Sequence, residues 1–299
     1  MSSATPDAEP AVPPGPFIAK AGVYNLPAET YHRDPVIGGS LSSTGIKRLL
    51  SPSCPALYRY QLAHPPEPTD AMTFGSAVHK LALGAGAEIV VVEADSWRTK
   101  AARQAAMRAH SDGRIPLLRH DFDKAARMAA AVREVPLAFN LIQPGTGKPE
   151  RTLVWQDPET GIWCRAMVDW LPFPLPGRRY FPVDLKTCPC AASEKVSKAI
   201  WDFGYHISGA HYLDGIRVLG IDARPVMHFI FLEKDEPHLV NVVELDPIAL
   251  EAGRFYARQG RLEYAKCVAE GRWPSYSDEV EMVGLPPYAQ NIYFQESGK

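Results

Sequence analysis

Runs of alternating apolar and polar residues, joined by turn-forming residues, give the clearest pattern between residues 151 and 187, RTLVWQDPETGIWCRAMVDWLPFPLPGRRYFPVDLKT. Apolar runs at 151–155 and 162–170 flank Asp157-Pro158-Glu159-Thr160-Gly161, a turn signal that predicts a β-hairpin. The loop 171–177 carries Pro172, Pro174 and Pro176 and lets the chain return as a third strand, Val183-Asp184-Leu185-Lys186. Side chains two apart on a strand share a face, so Asp184 and Lys186 point one way and Leu185 points into the core. A valine run predicts a strand at 88–93, and alternation predicts two more at 226–233 and 239–245. Helical spacing predicts helices at 74–83, 97–110, 121–142, 193–202, 205–219 and 247–271, with Gly204 between the fourth and fifth. A further helix follows Ser42-Ser43-Thr44, good N-cap residues. Residues 52–68 read as turn-rich, 1–16 as a disordered lead, 273–288 as a strap packed on the body, and 289–299 as a loose tail. The expectation is an α/β fold: a central mixed sheet flanked by helices, in one domain over 17–288.

Composition narrows this without changing it. The 299 residues are 46% hydrophobic and 22% charged, which is ordinary for a globular protein. No apolar run of about 18 residues predicts a membrane span, and no signal peptide is evident at the start. Five cysteines, an odd and small number, point to reduced thiols and a cytosolic setting. A net charge of −2 does not announce a nucleic-acid binder, although a local basic groove can sit on a neutral protein.

The candidate chemistry lies on the third strand and its neighbour. The return of the chain places Asp169 beside Asp184. Two carboxylates that close repel unless a cation lies between them, and Mg²⁺ suits one or two carboxylates plus phosphate oxygens. Lys186, on the same face, could hold the attacking water. The pattern is that of metal-dependent phosphodiester hydrolysis; the competing reading of an Asp-x-Lys triplet is a solvated strand edge. His79, among apolar neighbours, reads either as a core histidine or as a metal ligand. Ser42 and Thr44 read as a plain helix cap or, with Lys47 and Arg48, as a phosphate-binding helix start. Arg98, Lys100, Arg103 and Arg108 read as a solvated helix face or as a path for DNA. Ser208 and Tyr212, four apart, share a helix face.

Taken in order, these pieces resemble the exodeoxyribonuclease VIII (RecE-type) branch of the PD-(D/E)xK nucleases, found in phages and prophages. The matching stretches are Leu41-Ser42-Ser43-Thr44 with Lys47, Gly75-Ser76-Ala77-Val78-His79, Val168-Asp169-Trp170-Leu171, Val183-Asp184-Leu185-Lys186-Thr187, Tyr205 through Gly215, and Trp273-Pro274-Ser275-Tyr276. The resemblance implies a restriction-endonuclease-like core with His79, Asp169, Asp184 and the Leu185 carbonyl as metal ligands and Lys186 as the catalytic lysine. Glu150 matches an acidic position before the hairpin; as a residue it reads equally as a salt-bridged surface glutamate. Ser208 stands where the family often carries glutamine, with Tyr212 kept. The implied activity is Mg²⁺-dependent (Mn²⁺ substituting) degradation of the 5′-ended strand of linear duplex DNA, leaving 3′ overhangs. The implied partners are double-stranded DNA ends and a single-strand-annealing recombinase of RecT type. The implied assembly is a homo-oligomeric ring in the bacterial cytoplasm, with Ser42, Thr44, Lys47, Ser208 and Tyr212 on the DNA.

Three other readings stay open at this stage. Cys54, Cys188, Cys190 and Cys267 could form the cluster of an iron–sulfur nuclease. The fold could be a degenerate nuclease that binds DNA ends or serves as a scaffold. The same core also serves site-specific endonucleases.

Overall fold

The structure, a computed structural model, describes residues 15–66 and 68–298; the expected lead at 1–14 lies outside them. The first elements are β1 (Gly22–Asn25), α1 (Ala28–His32), α2 (Ser43–Leu49), α3 (Pro55–Ala63), α4 (Asp70–Leu83), β2 (Ile89–Val92), α5 (Lys100–Ser111) and β3 (Ile115–Leu118). Then come α6 (Arg119–Glu134), α7 (Pro136–Leu141), β4 (Gly147–Gln156), β5 (Trp163–Pro172), β6 (Val183–Cys188), α8 (Ser193–Asp202) and α9 (Tyr205–Val218). The last are β7 (His228–Glu233), β8 (Val240–Glu244), α10 (Pro247–Glu270) and α11 (Pro287–Ser297).

Six strands form one mixed sheet in the order β1-β4-β5-β6-β7-β8. Only β6 and β7 run parallel, joined through α8 and α9; the other neighbours are antiparallel. β2 and β3 make a separate parallel pair. The expected hairpin is β4–β5. Its turn is held by Asp157, whose Oδ2 accepts hydrogen bonds from Thr160 N (3.0 Å) and Oγ1 (2.8 Å), and by Gly161 at φ 71°. Alternate side chains fill the two faces. Val183, Leu185, Ile230 and Leu232 pack with Val78, Met128 and Val132 of α4 and α6. Phe229 and Phe231 pack on the other side with Leu213 of α9 and Val196 of α8.

Two buried guanidinium groups tie loops to this sheet. Arg165 reaches Asp34 (2.9 Å) and the carbonyl of Ser40 (2.6 Å) beneath the Tyr31 ring. Arg261 reaches Asp157 (2.9 Å) and Asp214 (3.2 Å). Burial of such charges is tolerable because each is paired.

The structure corrects several boundaries. The stretch read as turn-rich contains α3, whose proline at its first position suits a helix start. The helix expected at 121–142 breaks at Val135, because Pro136 has no N–H for the preceding turn and its ring crowds it. The strap at 273–288 holds only at its start: Trp273 packs on Tyr58 and Tyr264, while Val280, Met282 and Val283 are exposed. The tail read as loose forms α11, with no buried residue.

α9 and α10 pack closely at Gly253, where an added Cβ would stand 2.2 Å from the His206 carbonyl oxygen. We expect Gly253→Ala to force the two helices apart and cost about 1–3 kcal/mol, the usual range for overpacking. Urea unfolding monitored by circular dichroism measures it, and an unchanged midpoint would contradict the packing described.

Candidate active site

β5 and β6 meet at a single paired position, Trp170 opposite Val183, and diverge from there. The divergence opens a gap between Asp169 and Asp184. Asp169 uses it: its Oδ2 accepts a hydrogen bond from the backbone N–H of Leu185 at 2.7 Å. Asp184 is nearly sealed from solvent, at 1% exposure. Its Oδ1 takes a hydrogen bond from Lys186 Nζ at 2.7 Å, as the strand alternation predicts. Its Oδ2 is buried and has no hydrogen-bond partner among the described residues. Lys186 Nζ also lies 5.6 Å from the centre of the Tyr205 ring, a cation–π distance.

His79 comes from α4, which Thr69 caps through Met72 N. Ala77 and Val78 are fully buried, and Val78 packs in the cluster that contains Leu185. That packing turns the next residue toward the strands. His79 Nδ1 lies 3.6 Å from Asp169 Oδ2, and the ring also hydrogen-bonds the Leu185 backbone.

The electrostatics follow from this crowding. Burial raises the Asp184 carboxyl to about 7; Lys186 opposes the rise and Asp169 adds to it. Burial alone would lower the Lys186 pKa, but Asp184 and Asp169 outweigh it and hold the ammonium above its ordinary value. Burial, reinforced by the Lys186 charge, lowers His79 to about 4, so its imidazole is neutral and free to donate a lone pair.

A second group of side chains borders this one. Lys47 on α2 donates to the Phe203 carbonyl (3.0 Å) and to Ser208 Oγ (3.3 Å). Burial and then the Lys186 charge depress its pKa to about 8. Tyr212, one turn beyond Ser208 on α9, hydrogen-bonds Ser43; burial first and the field of Asp184 next raise its pKa well above the usual value. Ser42 is engaged as the cap of α2, accepting from Gly45 N at 3.2 Å, and Thr44 is exposed. Glu150 lies opposite Asp169 in the β4–β5 register with a strained φ of 48°. Its carboxylate turns toward Gly86, and burial raises its pKa against the pull of Lys80 and Arg151. Of the residues expected here, the structure brings together His79, Asp169, Asp184, Leu185 and Lys186, and sets Lys47, Ser208 and Tyr212 beside them. Tyr205 and Ser43 are neighbours that sequence reasoning missed. Tyr205, two turns before Tyr212 on the same helix, carried the only usable signal.

Among the described residues no three His, Cys, Asp or Glu side chains stand at metal-ligand spacing. The site is linked pairwise instead, His79 to Asp169 and Asp169 to Asp184. The same finding means that Cys54, Cys188, Cys190 and Cys267 do not gather as a cluster site would require. The residues at β5–β6 nevertheless fit a hard divalent cation. Among the described residues Asp184 Oδ2 is a buried acceptor with no hydrogen-bond partner, the Asp169 carboxylate adds to the upward pull on the Asp184 pKa, and a neutral imidazole adjoins Asp169.

Comparison with known proteins places the family and the fold. Residues 42–286 match the family model described as a PDDEXK-like domain of unknown function (DUF3799). A crystal structure of a candidate exonuclease from Eubacterium rectale superposes with a TM-score of 0.59 at 14% identity, over 89% of this chain and 98% of that one. A phage-related exonuclease from Haemophilus somnus aligns with a TM-score of 0.32 at 10% identity, over 78% of this chain and 96% of that one. No curated protein sequence matches. The fold is the mixed sheet flanked by helices of the PD-(D/E)xK nucleases.

A cation bound here would have a readout independent of catalysis. At a Mg²⁺ or Mn²⁺ concentration about 100 times the dissociation constant, the folded protein should gain about 2.7 kcal/mol. Asp184→Ala should lose that gain in thermal unfolding with and without chelator; an equal gain in the variant would place the ion elsewhere.

Proposed function

The chain belongs to the family of the PDDEXK-like domain (DUF3799), and on that premise we propose that it is a Mg²⁺-dependent exodeoxyribonuclease acting on the ends of linear double-stranded DNA. Nucleases of the PDDEXK kind generally use divalent metal ions. The observation that carries the reading is the Asp169–Leu185–Asp184–Lys186 linkage on two adjacent strands, with His79 leaning onto it. The Eubacterium rectale structure of the same fold is itself described as a candidate exonuclease, in keeping with this activity.

Asp169, Asp184, His79 and the Leu185 carbonyl would hold the cation, which supplies Lewis-acid polarisation of the scissile phosphate and a lowered pKa for bound water. Lys186 orients the attacking water and offsets the charge that builds on the phosphate oxygens. The Tyr205 ring confines the ammonium to the edge of the site. Lys47, with Ser208, adds a second positive charge where the phosphodiester backbone enters, and Tyr212 borders the same path. Ser42 and Thr44, at the start of α2, and Glu150, opposite Asp169, are assigned supporting places at the rim.

On this reading the 5′-ended strand is degraded and a 3′ overhang remains for a RecT-type annealing recombinase. The setting is the bacterial cytoplasm of a phage or prophage host, with a homo-oligomeric ring as the assembly. No described helix is long and apolar enough to cross a membrane.

End-labelled linear duplex, with 5′ and 3′ labels compared, tests polarity, and closed circular DNA separates exonuclease from endonuclease. We expect loss of the 5′ label first and a spared circle. Lys186→Ala should lower the rate by at least about 10², the effect of losing one preorganised stabilising group, while circular dichroism and duplex binding stay near wild type. Full activity of that variant would refute the role given to the lysine.

A further inference from the structure

Five cations and a single acid, Asp112, lie between residues 98 and 114, in a chain whose net charge is −2. The cations are Arg98, Lys100, Arg103, Arg108 and Arg114, and all are exposed. Among the described residues none of them makes an ion pair. Arg114 does feel the field of Glu88, whose carboxylate Lys80 already engages at 2.7 Å. The neighbouring Arg119, by contrast, is bound to Glu93. On α5, Ala102 and Ala109 are buried and Ala105 packs against the β2–β3 pair. Lys100, Arg103 and Arg108 therefore fall on the solvent side of the helix.

A solvated helix face is the ordinary explanation of surface charge, but such faces mix signs. α5 has no acidic residue in its first turn, although the helix dipole favours one there and disfavours Lys100 and Arg103. Local stability does not account for this choice of residues; a polyanionic partner does.

The charge calls for a polyanion, and the fold sets where it would bind. The β2–β3 pair that carries α5 packs through Ile115 and Leu117 onto Ala77 and Phe74 of α4, the helix that delivers His79. α5 thus lies on the far side of the β2–β3 pair from α4, about two packing layers or roughly 20 Å between the helix axes. Resting on the reading that duplex DNA is the substrate, we infer that the α5 face is a second contact for the DNA phosphate backbone.

Salt-dependent binding tests this. Fluorescence anisotropy is measured on a linear duplex of about 30 base pairs, three helical turns, with the Lys186→Ala protein so that no DNA is consumed. Adding Lys100→Glu, Arg103→Glu and Arg108→Glu should reduce the slope of log K against log salt by about 2.7, three phosphate contacts at 0.9 each. A control with the same net change, Lys20→Glu, Arg224→Glu and Lys266→Glu, should alter the slope by less than about 1. Matching thermal unfolding of the two triple variants confirms that both are folded. An unchanged slope in the α5 variant, or an equal loss in both, overturns the inference. Cleavage by the wild-type protein, measured in parallel, keeps the two readings apart. Cutting without an α5 effect leaves the nuclease and removes the second contact. An α5 effect without cutting leaves a DNA-binding face and removes the nuclease.

Discussion

Burying two carboxylates side by side is the constraint on which this structure turns. Asp169 and Asp184 stand on adjacent strands, in a place where a lone charge would be costly and a like-charged pair more so. The fold meets that cost locally. A backbone N–H serves Asp169, Lys186 serves one oxygen of Asp184, and His79 stays neutral beside them. Among the described residues one oxygen of Asp184 is left without a hydrogen-bond partner. Buried polar atoms are normally satisfied, so an orphaned acceptor beside a second acid suits the cation of the proposed function.

The surroundings are built to present that place rather than to relieve it. β5 and β6 share a single pairing position, so the sheet parts where the acids sit. Across the ladder, Glu150 holds a positive φ opposite Asp169, the kind of backbone strain that persists only when its surroundings enforce it. On the other side, α10 packs closely on α9 at Gly253. α9 in turn carries Tyr205, Ser208 and Tyr212 along one border of the site. Stability and geometry are therefore supplied by different layers: the apolar faces fix the strands, and the helices aim the polar groups.

Much of this was legible from the chain. Period-two alternation gave the hairpin and the common face of Asp184 and Lys186, because strand geometry leaves no other choice. The turn at Asp157 was legible for the same local reason. His79 was not: its neighbours are apolar, and only a resemblance lifted it above a core histidine. β3 was missed because it is four residues long and contains Pro116. The contacts of Lys47 with Phe203 and Ser208 span more than 150 residues, and no local pattern encodes a meeting of that kind. Tyr205 over Lys186 is equally a tertiary event.

The replacement of the expected glutamine by Ser208 shows what such long-range contacts do. Lys47 passes directly against Gly204, where an added Cβ would stand 2.6 Å from its Cδ. Gly204 and Ser208 are one helical turn apart, so two small residues line the slot through which the lysine stem runs. Its ammonium then reaches Ser208 Oγ and lies within the field of Lys186. A glutamine at 208 would carry a longer side chain into that slot. The serine leaves room for a cation from another helix, and its hydroxyl accepts a hydrogen bond from it. Under the proposed function that cation meets the DNA backbone at a border that lacks a directed amide hydrogen bond, and the candidate ligands and Lys186 are untouched.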